Sequence, residues 1–170
     1  MTTDVLFLDR LDTPIGTALL VTDDDGLLRA LDWADHEARM RRLLQRHYGA
    51  AVRLDERRAP DALRTALDAY FAGDLGQLDG IACRTGGTPF QRRVWEALRA
   101  IPAGQTLSYG MLATRLGAPT ASRAVGLANG ANPIGVVVPC HRVVGANGDL
   151  TGYGGGLERK RWLLAHEGAR

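Results

Sequence analysis

A glycine-rich stretch near the middle of the chain most constrains how this sequence can fold. Residues 73–87 read GDLGQLDGIACRTGG and show weak periodicity of either the helix or the strand type. Because glycine weakens helices and strands, we place a linker there between two folding units. The 170 residues are enough for two small domains. We predict an N-terminal α/β support domain over residues 1–80 and a second domain over residues 86–170.

Charge is distributed unevenly between the two halves. Residues 1–85 hold 11 Arg and 15 Asp or Glu, a net charge of −4. Residues 86–170 hold 10 Arg or Lys and 4 acids, a net charge of +6. A basic half is typical of a surface that meets a polyanion such as nucleic acid, although solvated surface charge explains the same numbers.

Other features of the composition exclude several classes of protein. The start, MTTDVLFLDRLDTP, lacks the basic and apolar segments of a signal peptide, and no apolar run reaches the about 20 residues of a membrane span. The two cysteines, Cys83 and Cys140, are too few for a disulfide framework and have no CxxC spacing. We therefore expect a reduced, cytoplasmic protein with no membrane partner.

The first half reads as three strands followed by two helices. The predicted strands are VLFLDRL, GTALLVT and LLRALDW, and DDDG between the last two is a tight-turn signal. One helix is predicted over residues 35–49 and another over residues 60–73. The second helix is expected to bury Leu63, Leu67 and either Tyr70 or Phe71. We expect a small antiparallel sheet with helices and no recognisable chemistry in this half.

The second half is predicted to be mostly helical. In TPFQRRVWEALRAI, Thr88 is the predicted N-cap, Pro89 the first helical residue, and Gln91 the partner in a capping box. Ser108 is predicted to cap the helix YGMLATRL, and Thr120 to cap the helix ASRAVGLANG. Two short helices joined by a Gly/Pro turn indicate a helix-turn-helix. The expected fold class is α+β, with a winged-helix-like second domain.

The helix ASRAVGLANG, over residues 121–130, carries Arg123 as its only charged side chain. Its other side chains are small or slender, so it can approach another surface closely. One interpretation is tight packing against a neighbouring helix. The other is insertion into a nucleic-acid groove, with Arg123 as a single projecting finger.

A cysteine–histidine pair follows the next apolar run. The segment ANPIGVVV, residues 131–138, is predicted to turn through Asn132 and Pro133 into a buried strand that ends just before Pro139 and Cys140. Neighbouring residues on an extended strand point to opposite faces, so direct contact between Cys140 and His141 would be awkward. The segment GANGDLTGYGGG predicts a hairpin and a loop before a last helix, LERKRWLLAHEG. Its glycine spacing is not that of a phosphate-binding loop, so we expect no nucleotide cofactor.

Several ordered blocks carry a resemblance to a known family: TPFQRRVWEAL, SRAVGLANG, NPIGVVVPCHRVV, GYGGG and LLAHEG. Together they resemble the O6-alkylguanine-DNA alkyltransferases, over about residues 88–168. The first half resembles the family only in its layout of strands and helices. The resemblance implies direct DNA repair by irreversible transfer of an alkyl group from O6 of a flipped guanine to Cys140. Such a suicide enzyme acts once, on double-stranded DNA containing O6-alkylguanine, and we expect it to be a monomer without cofactors.

Two other functions are compatible with parts of the pattern. One is a DNA-binding lesion sensor or regulator without transfer activity, against which the presence of Cys140 argues. The other is a cysteine hydrolase, for which the sequence offers no oxyanion-hole motif.

The resemblance also implies how the thiol is activated. A free cysteine has a pKa of about 8.5, so Cys140 is mostly protonated at neutral pH and needs a base. The implied base is His141, reached through a bridging water, with Glu167 orienting the imidazole. A core histidine and an exposed helix-end carboxylate are the alternative interpretations of these two residues.

The remaining site residues carry over from the family one at a time. Tyr109 is implied to contact the flipped base and assist the departing guanine, and Asn132 to brace the turn before the active-site segment. Arg123 is implied to fill the space left by the base, from the minor groove. The further predicted DNA contacts are Tyr109, Thr120, Ser122, Ala124 and Asn129. The predicted substrate pocket is formed by the backbone of Cys140 and Val143 together with Tyr153 and Gly154.

The sequence departs from the family pattern at some positions. Thr120 precedes the arginine finger where many relatives have a basic residue, and Gly135 replaces a proline found in some. Some relatives bind zinc through N-terminal cysteines and histidines, whereas this half offers only Cys83, His36 and His47. We therefore expect no metal. Arg142 is expected to brace the local fold rather than to touch substrate.

Overall fold

The computed structural model describes residues 5–170. It consists of two compact units, and the boundary between them lies between Gly87 and Thr88. Within residues 5–170, no helix combines the length and the apolar character needed to cross a bilayer.

The first unit is built on the three predicted strands, which the structure confirms. They are β1 (Val5–Thr13), β2 (Gly16–Thr22) and β3 (Leu28–Trp33), each antiparallel to the next. The DDDG turn joins β2 to β3 as expected. In it the Asp23 carboxylate accepts from the backbone N–H groups of Asp25 and Leu27, at 2.9 and 3.0 Å.

A fourth strand makes the sheet mixed, so the prediction of a purely antiparallel sheet is wrong. β4 (Arg53–Glu56) pairs in parallel with β1, giving the order β3-β2-β1-β4. Its sequence, RLDE, has one apolar residue among three charged ones, as suits a partly exposed edge strand. It therefore lacks the alternation by which a strand is recognised.

Two helices cover the sheet much as predicted. α1 (Glu37–Tyr48) follows a 3₁₀ turn over Ala34–His36, and α2 (Asp61–Phe71) follows Pro60. The core packs α1 against the sheet through Leu6, Leu8, Leu19, Val21, Ala30, Met40 and Leu44. α2 buries Leu63, Leu67 and Tyr70, so Tyr70 is the aromatic residue turned inward.

The glycine-rich stretch is structured rather than a free linker. Leu75–Gly80 form a 3₁₀ helix, and Cys83 then makes a parallel bridge to Leu28. The backbone N–H of Leu28 donates to Ala82 O at 3.1 Å, and Arg84 N–H donates to Leu28 O at 3.0 Å. Residues 73–87 therefore belong to the first unit and extend its sheet beyond β3.

The second unit begins with the predicted capped helix. α3 (Pro89–Arg99) has a complete capping box. Gln91 N–H donates to Thr88 Oγ1 at 3.1 Å, and Thr88 N–H donates to Gln91 Oε1 at 3.0 Å. Val94, Trp95 and Leu98 are its buried residues. The capping box predicted from the sequence is confirmed.

Two consecutive helices follow, joined by a short turn. After β5 (Leu107–Ser108), α4 (Tyr109–Arg115) begins with the predicted cap, because Ser108 Oγ accepts from Met111 N–H at 3.1 Å. α5 (Ser122–Gly130) starts after Ala121, with no side-chain cap. The prediction of Thr120 as its cap is wrong. Ala121 N–H donates to Ala118 O at 2.9 Å, and this turn moves the helix start past Thr120.

The apolar run before the cysteine is buried but is not the predicted strand. Residues 134–138 form tight turns, with Val138 N–H donating to Ile134 O at 3.0 Å and Val136 at φ +68°. The side chain of Asn132 explains why this run forms turns rather than a strand. Its Nδ2 donates to Val138 O at 2.8 Å, and its Oδ1 accepts from Ile134 N–H at 3.0 Å. The side chain thus satisfies backbone groups that a strand would satisfy with a ladder.

The unit closes with the segment that holds the cysteine. Cys140–Arg142 form a single 3₁₀ turn, which leads into β6 (Val143–Val144). β6 pairs in parallel with β5, with Leu107 opposite Val143. The predicted hairpin is reduced to a turn in which Gly145 N–H donates to Asp149 O at 2.8 Å. The last helix is α6 (Leu157–His166).

Candidate active site

Cys140, His141 and Arg142 share one 3₁₀ turn rather than an extended strand. Arg142 N–H donates to Pro139 O at 3.0 Å and closes this turn. Cys140 is 9% exposed, so the residue that carries the thiol is shielded from most of the solvent. Side chains on such a turn do not alternate between opposite faces, so the geometric objection to a cysteine–histidine pair no longer applies.

His141 is held by a buried carboxylate. Its Nε2 lies 2.9 Å from Oε2 of Glu167, and both side chains are fully buried. Glu167 caps the C-terminal end of α6 but points inward, so the exposed-carboxylate interpretation is wrong. Within the described residues, Nδ1 of His141 has no hydrogen-bond partner. It is therefore the ring nitrogen available to take a proton.

The imidazole of His141 is kept neutral by its surroundings. Burial lowers its pKa, Glu167 opposes this effect, and the positive charges of Arg142 and Lys160 lower the pKa further. A neutral ring that donates from Nε2 to a carboxylate carries its lone pair on Nδ1. His141 is thus in the protonation state of a base.

Arg142 donates hydrogen bonds both to the carboxylate of Glu167 and to a backbone carbonyl near α3. Its Nε donates to Glu167 Oε1 at 2.8 Å and its Nη2 to Glu167 Oε2 at 2.9 Å. Its Nη1 donates to Ile101 O at 2.6 Å, just beyond the end of α3. Arg142 as a whole residue is 5% exposed, so its pair with Glu167 is a buried, two-pronged ion pair.

Lys160 is a site residue that the sequence analysis missed. It is fully buried, and its Nζ donates to Val143 O at 2.7 Å and to Thr151 O at 2.9 Å. Burial lowers its pKa to about 8, the nearby Cys140 opposes that shift, and Arg170 adds to it. Its place in the charged run ERKR offers no pattern that singles it out.

The two asparagines predicted for the site are both buried. Asn132 makes the turn contacts described above, which support its predicted role as a brace. Asn129 was predicted to contact DNA, but it is 6% exposed and its Nδ2 lies 3.5 Å from Cys140 O. We therefore reassign Asn129 from the DNA-facing surface to the surroundings of the nucleophile.

α5 has one packed face and one open face. Val125 and Ala128 are buried, and Trp95 Nε1 of α3 donates to Ala128 O at 2.9 Å. The open face carries exposed residues that include four predicted DNA contacts: Thr120, just before the helix, Ser122, Arg123 and Ala124. The small residues thus serve close packing on one side, while Arg123 projects from the other.

Tyr109 connects the start of α4 to the loop before α6. Its Oη accepts from Thr151 Oγ1 at 3.3 Å. A Cβ atom at Gly126 would lie 3.8 Å from the Tyr109 ring, so the ring packs against α5. Tyr153 and Gly154, the predicted pocket residues, are half-buried in the same loop. Val143 O, also predicted to bind guanine, already accepts from Lys160 Nζ.

A shielded thiol beside a histidine–carboxylate pair defines a protein that acts through a cysteine nucleophile. Comparison with known proteins shows which family the chain belongs to. Residues 89–169 match the family model described as 6-O-methylguanine DNA methyltransferase, DNA binding domain. A Salmonella typhimurium methylated-DNA–protein-cysteine methyltransferase is 52% identical over 164 residues, 96% of each chain.

Solved structures agree with this match. Mycobacterium tuberculosis OGT in complex with DNA has a TM-score of 0.78 at 42% identity, covering 97% of this chain and 93% of that one. The O6-methylguanine-DNA methyltransferase of the archaeon Pyrococcus kodakaraensis has a TM-score of 0.75 at 26% identity, covering 96% and 99%. The chain belongs to the methylated-DNA–protein-cysteine methyltransferase family, and the resemblance seen in the sequence is confirmed.

Proposed function

We propose that this protein repairs alkylated DNA directly, by moving the alkyl group from O6 of guanine to Sγ of Cys140. The observation that carries the proposal is the buried pair formed by His141, which shares a turn with Cys140, and Glu167 at the end of α6. It leaves Nδ1 of His141 without a partner and ready to accept the thiol proton. Family membership supports the same reaction.

The reaction proceeds in one displacement. The thiol proton of Cys140 passes through a water to Nδ1 of His141, and the thiolate attacks the alkyl carbon. The carbon–O6 bond breaks as the carbon–sulfur bond forms, and its electron pair goes to the guanine. The departing guanine takes up a proton, for which Tyr109 Oη is the proposed donor. A thioether has no good leaving group, so Cys140 is not regenerated.

The alkylated base has to leave the DNA stack before the thiol can reach it. We assign this step to the open face of α5. There Arg123 fills the space left by the base, and Thr120, Ser122 and Ala124 contact the sugar–phosphate backbone of the DNA. The flipped guanine is held between Tyr109, the backbone of Cys140 and Val143, and the loop containing Tyr153 and Gly154. The DNA complex of the M. tuberculosis relative supports DNA as the partner.

The proposal divides the work between the units. DNA binding and alkyl transfer belong to the second unit, and the first is a support domain. A cytoplasmic location and a monomeric state stay predictions.

Peptide mass analysis tests the proposal. The full chain is incubated with a duplex that contains O6-methylguanine, and we expect a gain of one methyl group on the Cys140 peptide. Cys83, which is partly exposed, is the internal control, and a Cys83→Ser variant should react like the wild type. A Cys140→Ser variant should gain nothing.

The alternatives give different results in the same assay. A lesion sensor would bind the duplex without any mass gain. A hydrolase would release the alkyl group and turn over repeatedly. Either result, or methylation of Cys83 alone, would contradict the proposal.

A further inference from the structure

We propose that Arg142 is a positioning residue of the transfer reaction. By holding Glu167 as a carboxylate, it keeps the hydrogen of His141 on Nε2 and leaves Nδ1 open for the proton of Cys140. The inference rests on the proposed function, and it assigns a role in chemistry to a residue expected only to brace the fold.

The contacts around Glu167 carry the first step of the argument. Its two oxygens accept from Arg142 Nε, Arg142 Nη2 and His141 Nε2 at 2.8, 2.9 and 2.9 Å. A carboxylate can only accept hydrogen bonds, so His141 has to donate from Nε2. The two-pronged grip of Arg142 favours the ionised form of a side chain that is otherwise fully buried. Arg142 thus sets the tautomer of His141 through Glu167.

Charge balance carries the second step. The charged groups that act on His141 are Glu167, Arg142 and Lys160, and Cys140 in turn acts on Lys160. With Arg142 present, the negative charge of the Glu167 carboxylate is balanced by the guanidinium, and the buried imidazole of His141 stays uncharged. Without Arg142, the negative charge of Glu167 would be exposed to the imidazole alone, and the pair would bind one more proton.

The location of that extra proton decides the consequence. If it binds Glu167, the new O–H donates to His141 Nε2 and the ring hydrogen moves to Nδ1. If it binds the ring, both nitrogens carry hydrogen. In each case Nδ1 can no longer accept the thiol proton, so the base is blocked.

The experiment compares wild type with Arg142→Met and Arg142→Lys. Nitrogen NMR of the His141 ring reports the tautomer and pKa, and transfer from free O6-benzylguanine is measured across pH. In wild type we expect hydrogen on Nε2 alone near neutral pH. In Arg142→Met the pKa of the coupled His141–Glu167 pair should rise, and the acid limb of the rate profile should move up by about one pH unit or more. The pH–rate profile of Arg142→Lys should lie between those of the wild type and Arg142→Met.

A matched control separates positioning from packing. Arg39 makes a similar two-pronged pair with buried Asp32 in the first unit, and Arg39→Met should lower stability without moving the pH profile. A uniform loss of rate at every pH in Arg142→Met, with unchanged His141 titration, would overturn the proposal. Hydrogen on Nδ1 in the wild type would overturn it as well.

Two further outcomes remain distinguishable. If Arg142→Met does not fold, as judged by circular dichroism, the wild-type tautomer and the Arg142→Lys profile still decide. If wild-type Cys140 is not alkylated at all, the proposed function fails, whereas the NMR titration still tests what Arg142 does to His141.

Discussion

At the scale of single residues, Arg123 separates base flipping from chemistry. We predict that Arg123→Ala slows repair of O6-methylguanine in duplex DNA at least about tenfold more than transfer from free O6-benzylguanine. The free base needs no extrusion, and Arg123 lies on the exposed face of α5, whereas Cys140 is buried. Single-turnover rates on the two substrates measure the difference.

His141→Ala is the matched comparison for that prediction. Thiolate formation is common to both substrates, so this variant should slow both reactions by a similar factor. If Arg123→Ala also lost equal rate on duplex and free base, Arg123 would be supporting the fold or the site, and the flipping role would have to be withdrawn.

The nucleophile and its base were accessible from the sequence, whereas their geometry was not. The neighbouring letters of Cys140 and His141 are visible in PCHR, but the strand expected before them made their contact look awkward. Lys160 could not be found at all. Its burial depends on acceptors at Val143 and Thr151, which are distant in sequence, and nothing in ERKR separates it from exposed neighbours.

At the scale of elements, one ion pair joins β3 to α1. Asp32 is 2% exposed, and Arg39 Nη2 donates to both of its oxygens at 2.8 Å. We predict that Arg39→Met lowers the free energy of unfolding by about 3 kcal/mol, because it leaves a buried carboxylate without its partner. Urea denaturation of the full chain measures the change.

The same helix supplies the control for this prediction. Arg41 and Glu37 form an exposed pair one turn apart, at 3.0 Å. Arg41→Met should change stability by no more than about 0.5 kcal/mol. Equal losses of unfolding free energy in Arg39→Met and Arg41→Met would mean that the burial of Asp32 does not determine how much the substitution destabilises the fold.

The elements were predictable where local chemistry decides them. Thr88 and Ser108 are both caps in the structure, because capping depends on residues within one turn. The strand predicted after the turn at Asn132 and Pro133 failed because Asn132 bonds the backbone at both ends of the apolar run, at Ile134 and Val138. β-branched residues indicated burial correctly, but burial alone does not specify extended backbone.

At the scale of the whole molecule, the charge asymmetry predicts how the protein binds DNA. Affinity should be largely independent of sequence and should fall steeply with salt, through release of counterions. Arg92 and Arg115 are exposed cations of the second unit. Replacing one of them with alanine should lower the salt slope by about one unit if it contacts a phosphate. Fluorescence anisotropy at several salt concentrations measures this slope.

Exposed arginines of the first unit provide the comparison. Arg42 and Arg46 lie on the outer side of α1, and alanine at either position should leave the salt slope unchanged. Affinity that does not depend on salt, or a slope that falls only with the first-unit variants, would contradict the charge argument.

The short pairing of β5 with β6 also bears on which insertions and deletions this chain can tolerate. The pair fixes Leu107 opposite Val143 and Ser108 opposite Val144. Tyr109 directly follows the last residue of β5. Cys140 lies three residues before Val143, the first residue of β6. One residue gained or lost between Cys140 and Val143 would shift the register by one and turn each side chain to the opposite face. A change of length in the turn at residues 145–149 falls outside this pairing, so lineages can vary the loop while the spacing of tyrosine and cysteine stays constant.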